Sequence, residues 1–491
     1  MSITKSNLLQ LANCPNWFWL SVNEPELLTE SLGGNASVNE GNAFETFARG
    51  RFPGGVFVAE FGEAALAKTK ELVAADTRYL FQATAMADGV LVKADVLEQT
   101  NDGEFNLYEV KASSRVKDDH LLDIAIQRAV FNDAGFNIGK CFLVILDGDY
   151  VRNEELDAEA AISLEDVTAQ ARAMEEVEVR PLIVEAKRIG SLPNVPVSDI
   201  ADLPCSPSPA KRCSCADVSY KDLPDYSIFD LTRISRDKAS TLLRNDIIKI
   251  EDLEPGVVKL SKNQAIQAAL TKKKVRQVDT ENLKAKLEEI TYPLYFLDYE
   301  TYNFALPRLD GFKPYQHYVF QYSLHVQDSP NAELQHHEFL ADTISIDSLT
   351  SLASSLRSAI HRDGGSVLVW HRQFEESRNG ELGELLPEFR DFFLSLNHRI
   401  FDLEEVFKQQ LIMDYQFKGR TSIKAVLPVL CPQFSYSELN VQNGAQAMDA
   451  WYEWVQGTQD DEKKNDLLAY CELDTLAMVE ILGAIRTDLS L

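Results

Sequence analysis

The sequence predicts an α/β protein in which two larger domains are joined by a small helical module. Three observations predict it. At 491 residues the chain exceeds what one hydrophobic core usually supports. Strand and helix patterns alternate over residues 80–150 and again from residue 291. Between these regions, residues 191–227 are broken by Pro and Ser and carry three cysteines, and residues 228–290 read as short helices. The expected segments are therefore 1–227, 228–290 and 291–491.

The elements follow from local pattern. Ser6–Cys14 has helical apolar spacing behind a polar cap, and Asn42–Arg49 reads as a helix preceded by Gly41. Leu91–Leu97, Phe105–Lys111 and Lys140–Leu146 read as strands, and Asn101-Asp-Gly103 supplies a hairpin turn between the first two. A helix over Leu121–Asn132 separates the second and third. Residues 150–190 look helical and acidic. In the last segment Leu294-Tyr-Phe-Leu-Asp-Tyr-Glu-Thr301 is a strand, as is Phe320-Gln-Tyr-Ser-Leu324, which alternates like a half-buried one. Ser366–Glu375 runs from strand into turn or helix, and Tyr470–Asp474 lies on a helix.

Hydrophobic residues make up 45% and charged residues 25%, as in ordinary globular chains. No apolar run approaches a membrane span, and the N-terminus lacks the apolar core of an export signal. Seven cysteines, an odd number, fit a reducing compartment, so a cytoplasmic location is expected and no membrane partner. The net charge of −28 argues against tight, nonspecific duplex binding, and makes a protein partner at the acidic surface plausible. Local basic clusters at Lys272-Lys-Lys-Val-Arg276 and Lys211-Arg212 read first as solvated faces and second as a phosphate track.

Two groups of residues carry chemistry. In the first, Glu109 and Lys111 share one face of their strand, and the hairpin brings Asp95 alongside. Two carboxylates can hold a cation while a lysine steadies developing negative charge. Glu45 can add a carboxylate, and Gln127 lies one turn from Phe131 on the next helix. This run resembles the PD-(D/E)XK nuclease superfamily, especially RecB-like and CRISPR-associated RecB-like exonucleases. The matching residues are Gly41-x-x-x-Glu45, Asp95, Glu109-x-Lys111 and Gln127-x-x-x-Phe131. The resemblance implies a restriction-endonuclease-like fold, with Glu45, Asp95 and Glu109 as Mg²⁺ or Mn²⁺ ligands and Lys111 and Gln127 as catalytic groups. Glu45 stands where that branch more often has histidine, and Phe131 where it often has tyrosine. The resemblance also implies an iron–sulfur cluster on one early cysteine, Cys14, and three late ones, Cys205, Cys213 and Cys215. Their Cys213-x-Cys215 spacing is tighter than the branch usually shows, and zinc or incidental thiols remain rival readings. Cys141, Cys431 and Cys471 read as core residues.

In the second group, Asp298 and Glu300 point to one face of a strand, and Tyr470 and Asp474 lie one helical turn apart. Glu375 is the candidate middle acid and Asp402 its alternative. The pattern resembles the DEDD exonuclease superfamily in its tyrosine subgroup. That likeness implies a ribonuclease H-like fold, two cations held by Asp298, Glu300, Glu375 and Asp474, and Tyr470 orienting the attacking water. The departures are Glu375 in place of aspartate and His371 in place of asparagine. Residues 291–485 also resemble an uncharacterised bacterial domain fused behind RecB-like nucleases, through Phe296-Leu-Asp-Tyr-Glu-Thr-Tyr302, Pro314-Tyr-Gln316, Ser422-Ile-Lys424 and Tyr470-Cys-x-x-Asp-Thr475. Gln321 and Tyr322 read as core. Lys424 reads as pairing with an acid or, less simply, meeting a phosphate. No defensible metal-ligand spacing joins His317, His325, His336 and His337.

The expected activity is metal-dependent hydrolysis of phosphodiester bonds from nucleic-acid ends, in repair or defence. Single-stranded DNA is the first substrate and RNA the second. The rival is a subunit that binds such ends without cutting.

Overall fold

The structure, a computed structural model, describes residues 3–28, 35–207, 212–360, 364–457 and 459–489. Lys211, half of one basic cluster, lies outside them. The chain is mixed α/β, with three sheets and many helices among the described residues, and divides into two compact units. Among the described residues no helix is long and apolar enough to cross a membrane.

The first unit takes in residues 1–32, 37–222 and 304–316. Its strands are β1 (Ile3–Thr4), β2 (Val56–Phe57), β3 (Tyr79–Ala87), β4 (Val90–Gln99), β5 (Phe105–Lys111), β6 (Ile138–Leu146) and β7 (Ile162–Asp166). They form one sheet in the order β2-β3-β4-β5-β6-β7, with β1 beside the start of β4. β3, β4 and β5 are antiparallel neighbours, whereas β5 and β6 run parallel. Two short helices open the unit, α1 (Lys5–Asn13) and α2 (Pro15–Asn23). Thr4 and Asn7 close a reciprocal cap on α1, and Pro15 starts α2 where a missing N–H costs nothing. The other main helices are α3 (Ala36–Ala48), α4 (Gly62–Ala74) and α5 (Asp118–Asp133). α5 buries Ile124, Ala125, Ala129, Val130 and Phe131, and packs across β3 to β6.

The second unit takes in residues 33–36, 223–303 and 317–491. Its main sheet has the order β11-β10-β9-β12-β13, built from β9 (Leu294–Asn303), β10 (His317–Gln327), β11 (Gln335–Leu340), β12 (Ser366–Val369) and β13 (Ile400–Asp402). β9 is antiparallel to β10 and parallel to β12. A small antiparallel ladder joins β8 (Arg276–Val278) to β14 (Ile412–Asp414). The helices used below are α6 (Arg372–Leu385), α7 (Ile423–Leu430), α8 (Gly444–Gln456) and α9 (Asp461–Asp488). α9 packs on β9 and β10, while Trp451 of α8 stacks flat on Phe320 with ring centroids 4.4 Å apart.

Several expectations change. Contacts divide the chain differently from the three expected segments. Residues 228–290 fall within the second unit, where β8 pairs with β14. Residues 304–316 fall within the first, because Ala305 and Leu306 bury in a core with Phe44, Phe52 and Tyr108. Gly41 lies inside α3 rather than before it, in open space that lets the helix run on. The acidic 150–190 stretch contains a strand, β7, whose pairing to β6 overrides its polar composition. β10 is buried on both faces, so its alternation does not mark a solvent side.

Candidate functional site

The second unit gathers three acids in one cleft. Asp298 and Glu300 lie on β9 two residues apart and so face the same way. α9 lies along that face and presents Tyr470 and Asp474 from successive turns. Carboxylate oxygens of Asp298, Glu300 and Asp474 lie within 4.8 Å of one another. They open on a cleft of about 360 Å³, also lined by Trp370, Phe374, Lys424 and Tyr470. A bulge in β10 at Val319–Gln321 sets the pairing of Glu300 with Gln321 and of Asp298 with Ser323. Gln321 is buried and donates to the Leu467 carbonyl at 2.8 Å, as a core residue does.

The electrostatics of the cleft are those of crowded, dehydrated carboxylates. Burial, then the charges of Asp474, Glu300 and Glu375, push Asp298 well above its ordinary range. Burial and Asp474 raise Glu300 to about 8. Asp474 rises to about 6 through burial, with Tyr436, Lys424 and Tyr470 pulling the other way. Tyr436 donates to Asp474 Oδ1 at 2.5 Å. Lys424 Nζ donates to the Tyr470 hydroxyl at 3.0 Å and to the Gln442 carbonyl at 2.6 Å, so it does not pair with an acid as expected. Its ammonium also stands over the rings of Tyr436 and Tyr470 at 5.0 and 4.8 Å.

The two candidates for the middle acid separate clearly. Glu375, near the start of α6, is buried, and its Oε2 has no hydrogen-bond partner. Burial raises it to about 8, and its charge bears on both Asp298 and Glu300. Asp402 is occupied otherwise. Its oxygens accept from the backbone N–H groups of Arg372 and Glu404, each at 3.0 Å, so it caps the first turn of α6. Asp402 thus serves the backbone, and neither it nor Glu375 joins the ligand group of Asp298, Glu300 and Asp474.

In the first unit the register Val96↔Tyr108 sets Asp95 level with Glu109 on one face of the sheet. Glu109 and Asp123 are then bridged by two ammonium groups. Lys5 reaches them at 2.9 and 2.8 Å, and Lys111 at 2.7 and 2.6 Å. Gln127 donates to the same two carboxylates at 2.5 and 3.0 Å. Burial alone would raise Glu109, but Lys5 and Lys111 outweigh it and hold this carboxyl below its usual range. Asp95 is pushed up by burial and by the charge of Glu109, although it accepts the Val110 N–H at 2.8 Å. Gln82 links Glu45 and Asp95, donating at 2.8 and 3.1 Å, and Arg49 pairs with Glu45 at 2.7 Å. Glu45, Asp95 and Glu109 do not form a trio of ligand atoms within 4.8 Å of one another. Glu109 and Asp123 are thus held in an ion-pair network, whereas Asp95, among the described residues, meets no cation within it.

The family described as "Domain of unknown function (DUF2779)" matches residues 295–422. The match takes in Asp298, Glu300, Glu375 and Asp402, and stops short of Lys424, Tyr470 and Asp474. The chain is 26% identical over 207 residues to the "Uncharacterized protein MG366 homolog" of Mycoplasma pneumoniae, spanning 38% of this chain and 31% of that protein. It is also 26% identical over 209 residues to "Uncharacterized protein UU173" of Ureaplasma parvum, spanning 38% of this chain and 30% of that one. The chain thus spans under a third of the length of these relatives. A solved structure described as "Crystal structure of SSO0001" matches over 40% of this chain and 78% of that one. Its 14% identity and TM-score of 0.18 are too low to inform the fold.

The four cysteines named from sequence come together. Cys14, between α1 and α2, lies 3.5 Å from the sulfurs of both Cys205 and Cys215, and Cys213 lies 3.2 Å from Cys215. All four sulfurs fall within 4.8 Å of one another, and none is in a disulfide. Sequence reasoning missed Lys5, Gln82 and Asp123 in the first unit and Tyr436 in the second; of these only Asp123 offered a signal, one helical turn before Gln127 on the same helix. It also missed a group formed by His325, His336 and Glu472. There the two imidazoles stack at 4.5 Å, and one nitrogen of each ring already meets a hydroxyl, of Thr475 and of Ser323.

Proposed function

We propose that the second unit is a metal-dependent nuclease that hydrolyses phosphodiester bonds from the ends of single strands, DNA first and RNA second. One observation carries the reading: three dehydrated carboxylates converge in an open cleft, with a tyrosine and a lysine beside them. Hard oxygen donors crowded until each resists ionisation suit Mg²⁺ or Mn²⁺, and the orphaned oxygen of Glu375 marks an unmet need close by. Asp298, Glu300 and Asp474 would hold the cations, with Glu375 supporting. Bound there, such ions supply neutralisation of phosphate charge and a more acidic water. Tyr470, held by Lys424, positions the attacking water, and Lys424 adds positive charge toward the phosphate. The strand order, with one antiparallel edge and two parallel strands beyond β9, is the arrangement expected of a ribonuclease H-like fold, which supports the DEDD reading.

The first unit supports a different role. Its sheet and the level placement of Asp95 and Glu109 suit a RecB-like PD-(D/E)XK domain. However, Lys5 and Lys111 already neutralise Glu109 and Asp123. This favours a first unit that binds ends without cutting, the alternative reading of the protein as a repair or defence subunit applied to this half. The cysteine cage is proposed as a metal site. Four sulfurs about 2.3 Å from one tetrahedral ion stand about 3.8 Å apart. The observed 3.2–3.9 Å separations favour one ion over the iron–sulfur cluster that the resemblance implies.

The test is to incubate purified protein and end-labelled single strands with Mg²⁺ or Mn²⁺, comparing the parent with Asp298→Asn and Lys111→Ala. The expected result is product from the parent and from Lys111→Ala, and none from Asp298→Asn. Product from Asp298→Asn at the parent's rate would refute the assignment.

A further inference from the structure

A large groove of the second unit lies beside the carboxylate cleft. It has a volume of about 1120 Å³ and shares Ser422 with the cleft. One wall comes from residues 232–270, the other from residues 404–422. The first wall is cationic, with Arg233, Lys238 and Lys262; on the second, Lys408 and Arg420 are balanced by ion pairs, Arg420 with Asp230 at 4.0 Å. The two acids in the lining are already engaged: Glu404 pairs with Lys408 at 2.6 Å, and Asp414 with Arg276 at 2.8 Å. Arg233, Lys238 and Lys262 form no ion pair among the described residues, and the first and last are exposed. In a chain of net charge −28, uncompensated cations gathered along one groove run against the trend of the surface. Tyr415 adds a half-buried ring to the same lining.

We propose that this groove binds the phosphodiester backbone of a single-stranded nucleic acid and leads it past Ser422 to the cleft of Asp298, Glu300 and Asp474. The direction of the path rests on the nuclease reading; the binding does not. A cationic groove with an aromatic ring is how proteins hold single strands without reading sequence. The charge that recognises the backbone is common to DNA and RNA, so both sources enter the test.

The experiment measures fluorescence anisotropy of labelled oligo-dT and oligo-U with the full chain in EDTA, over a range of salt. The parent is compared with the triple variant Arg233→Ala/Lys238→Ala/Lys262→Ala and with Lys272→Ala/Lys273→Ala, two exposed lysines outside the groove. The expected result is at least a tenfold loss of affinity in the triple variant. Its salt dependence should flatten by about 2 in log–log slope, at about 0.7 per lost phosphate contact, and the lysine pair should bind as the parent does. Binding of either oligomer alone also supports the groove and identifies the sugar. A parent that binds neither, or a triple variant that binds as the parent does, overturns the proposal. The nuclease reading fails separately. If strands bind through the groove but are never cut in Mn²⁺, the groove stands and the activity falls. If the triple variant cuts subsaturating strands at the parent's rate, the groove falls and the activity stands.

Discussion

Tyr436 sets the state of Asp474 as directly as any charge in the cleft. Its hydroxyl is the donor at 2.5 Å that offsets part of the burial raising Asp474. Tyr436→Phe is expected to cost about 1–3 kcal/mol at neutral pH by urea denaturation, since a buried carboxylate oxygen loses its partner. The acids themselves make a sharper prediction. Glu300 and Glu375 sit at about 8 and Asp474 at about 6, all above the values they have when unfolded. The folded state therefore holds protons that the unfolded chain releases, and stability falls as pH rises from about 4 toward 8. On the proposed metal-binding reading, saturating Mg²⁺ would replace those protons, so the fall should vanish in its presence. Thermal melts at pH 5.5 and 8.5, with and without Mg²⁺, check this; a metal-free Tm that does not drop would contradict it. Asp298, Glu300, Tyr470 and Asp474 were legible because strand and helix periods fix which residues share a face. Tyr436 was not, because nothing in its spacing announces that its loop folds over α9.

Helix and strand contacts decide what Asp402 and the cysteines do. Asp402 ends β13 and accepts the Arg372 N–H at the start of α6 and the Glu404 N–H two residues on. Asp402→Ala should cost about 1 kcal/mol, the usual loss for a cap, and leave divalent-ion affinity unchanged. A large loss of affinity with little change in stability would return Asp402 to the ligand set. The cysteine cage ties the junction of α1 and α2 to residues 205–215, nearly two hundred residues away in sequence. Metal analysis of the purified protein should find about one zinc per chain in a colourless sample, and Cys215→Ser should lower Tm and release it. A brown sample with visible absorbance would favour the cluster instead. Alternation and apolar runs made β4, β5, β6, β9, β10 and β12 legible, while the other short strands and β3 were not identified. β7 was hidden by its acidic composition, because pairing to β6 and not propensity makes it a strand.

At the scale of the whole molecule, net charge misdirects and distribution informs. The −28 balance speaks against nucleic acid, yet the groove of the second unit leaves three cations uncompensated. These were not legible in sequence, because Arg233, Lys238 and Lys262 are scattered over thirty positions. The visible basic run at Lys272–Arg276 ends partly in ion pairs, with Arg276 held by Asp414 and Asp488. The division into units was half legible for a similar reason. Strand–helix alternation marks two α/β regions, but only burial of Ala305 and Leu306 reveals that residues 304–316 belong to the first. The proposed nuclease activity requires Asp298, Glu300 and Asp474 together to hold divalent cations. Mn²⁺ titration followed by electron paramagnetic resonance tests it most directly, comparing the parent with Asp298→Asn and Asp474→Asn. The account predicts tight binding in the parent and at least tenfold weaker binding in each variant. Equal binding in all three proteins would contradict it.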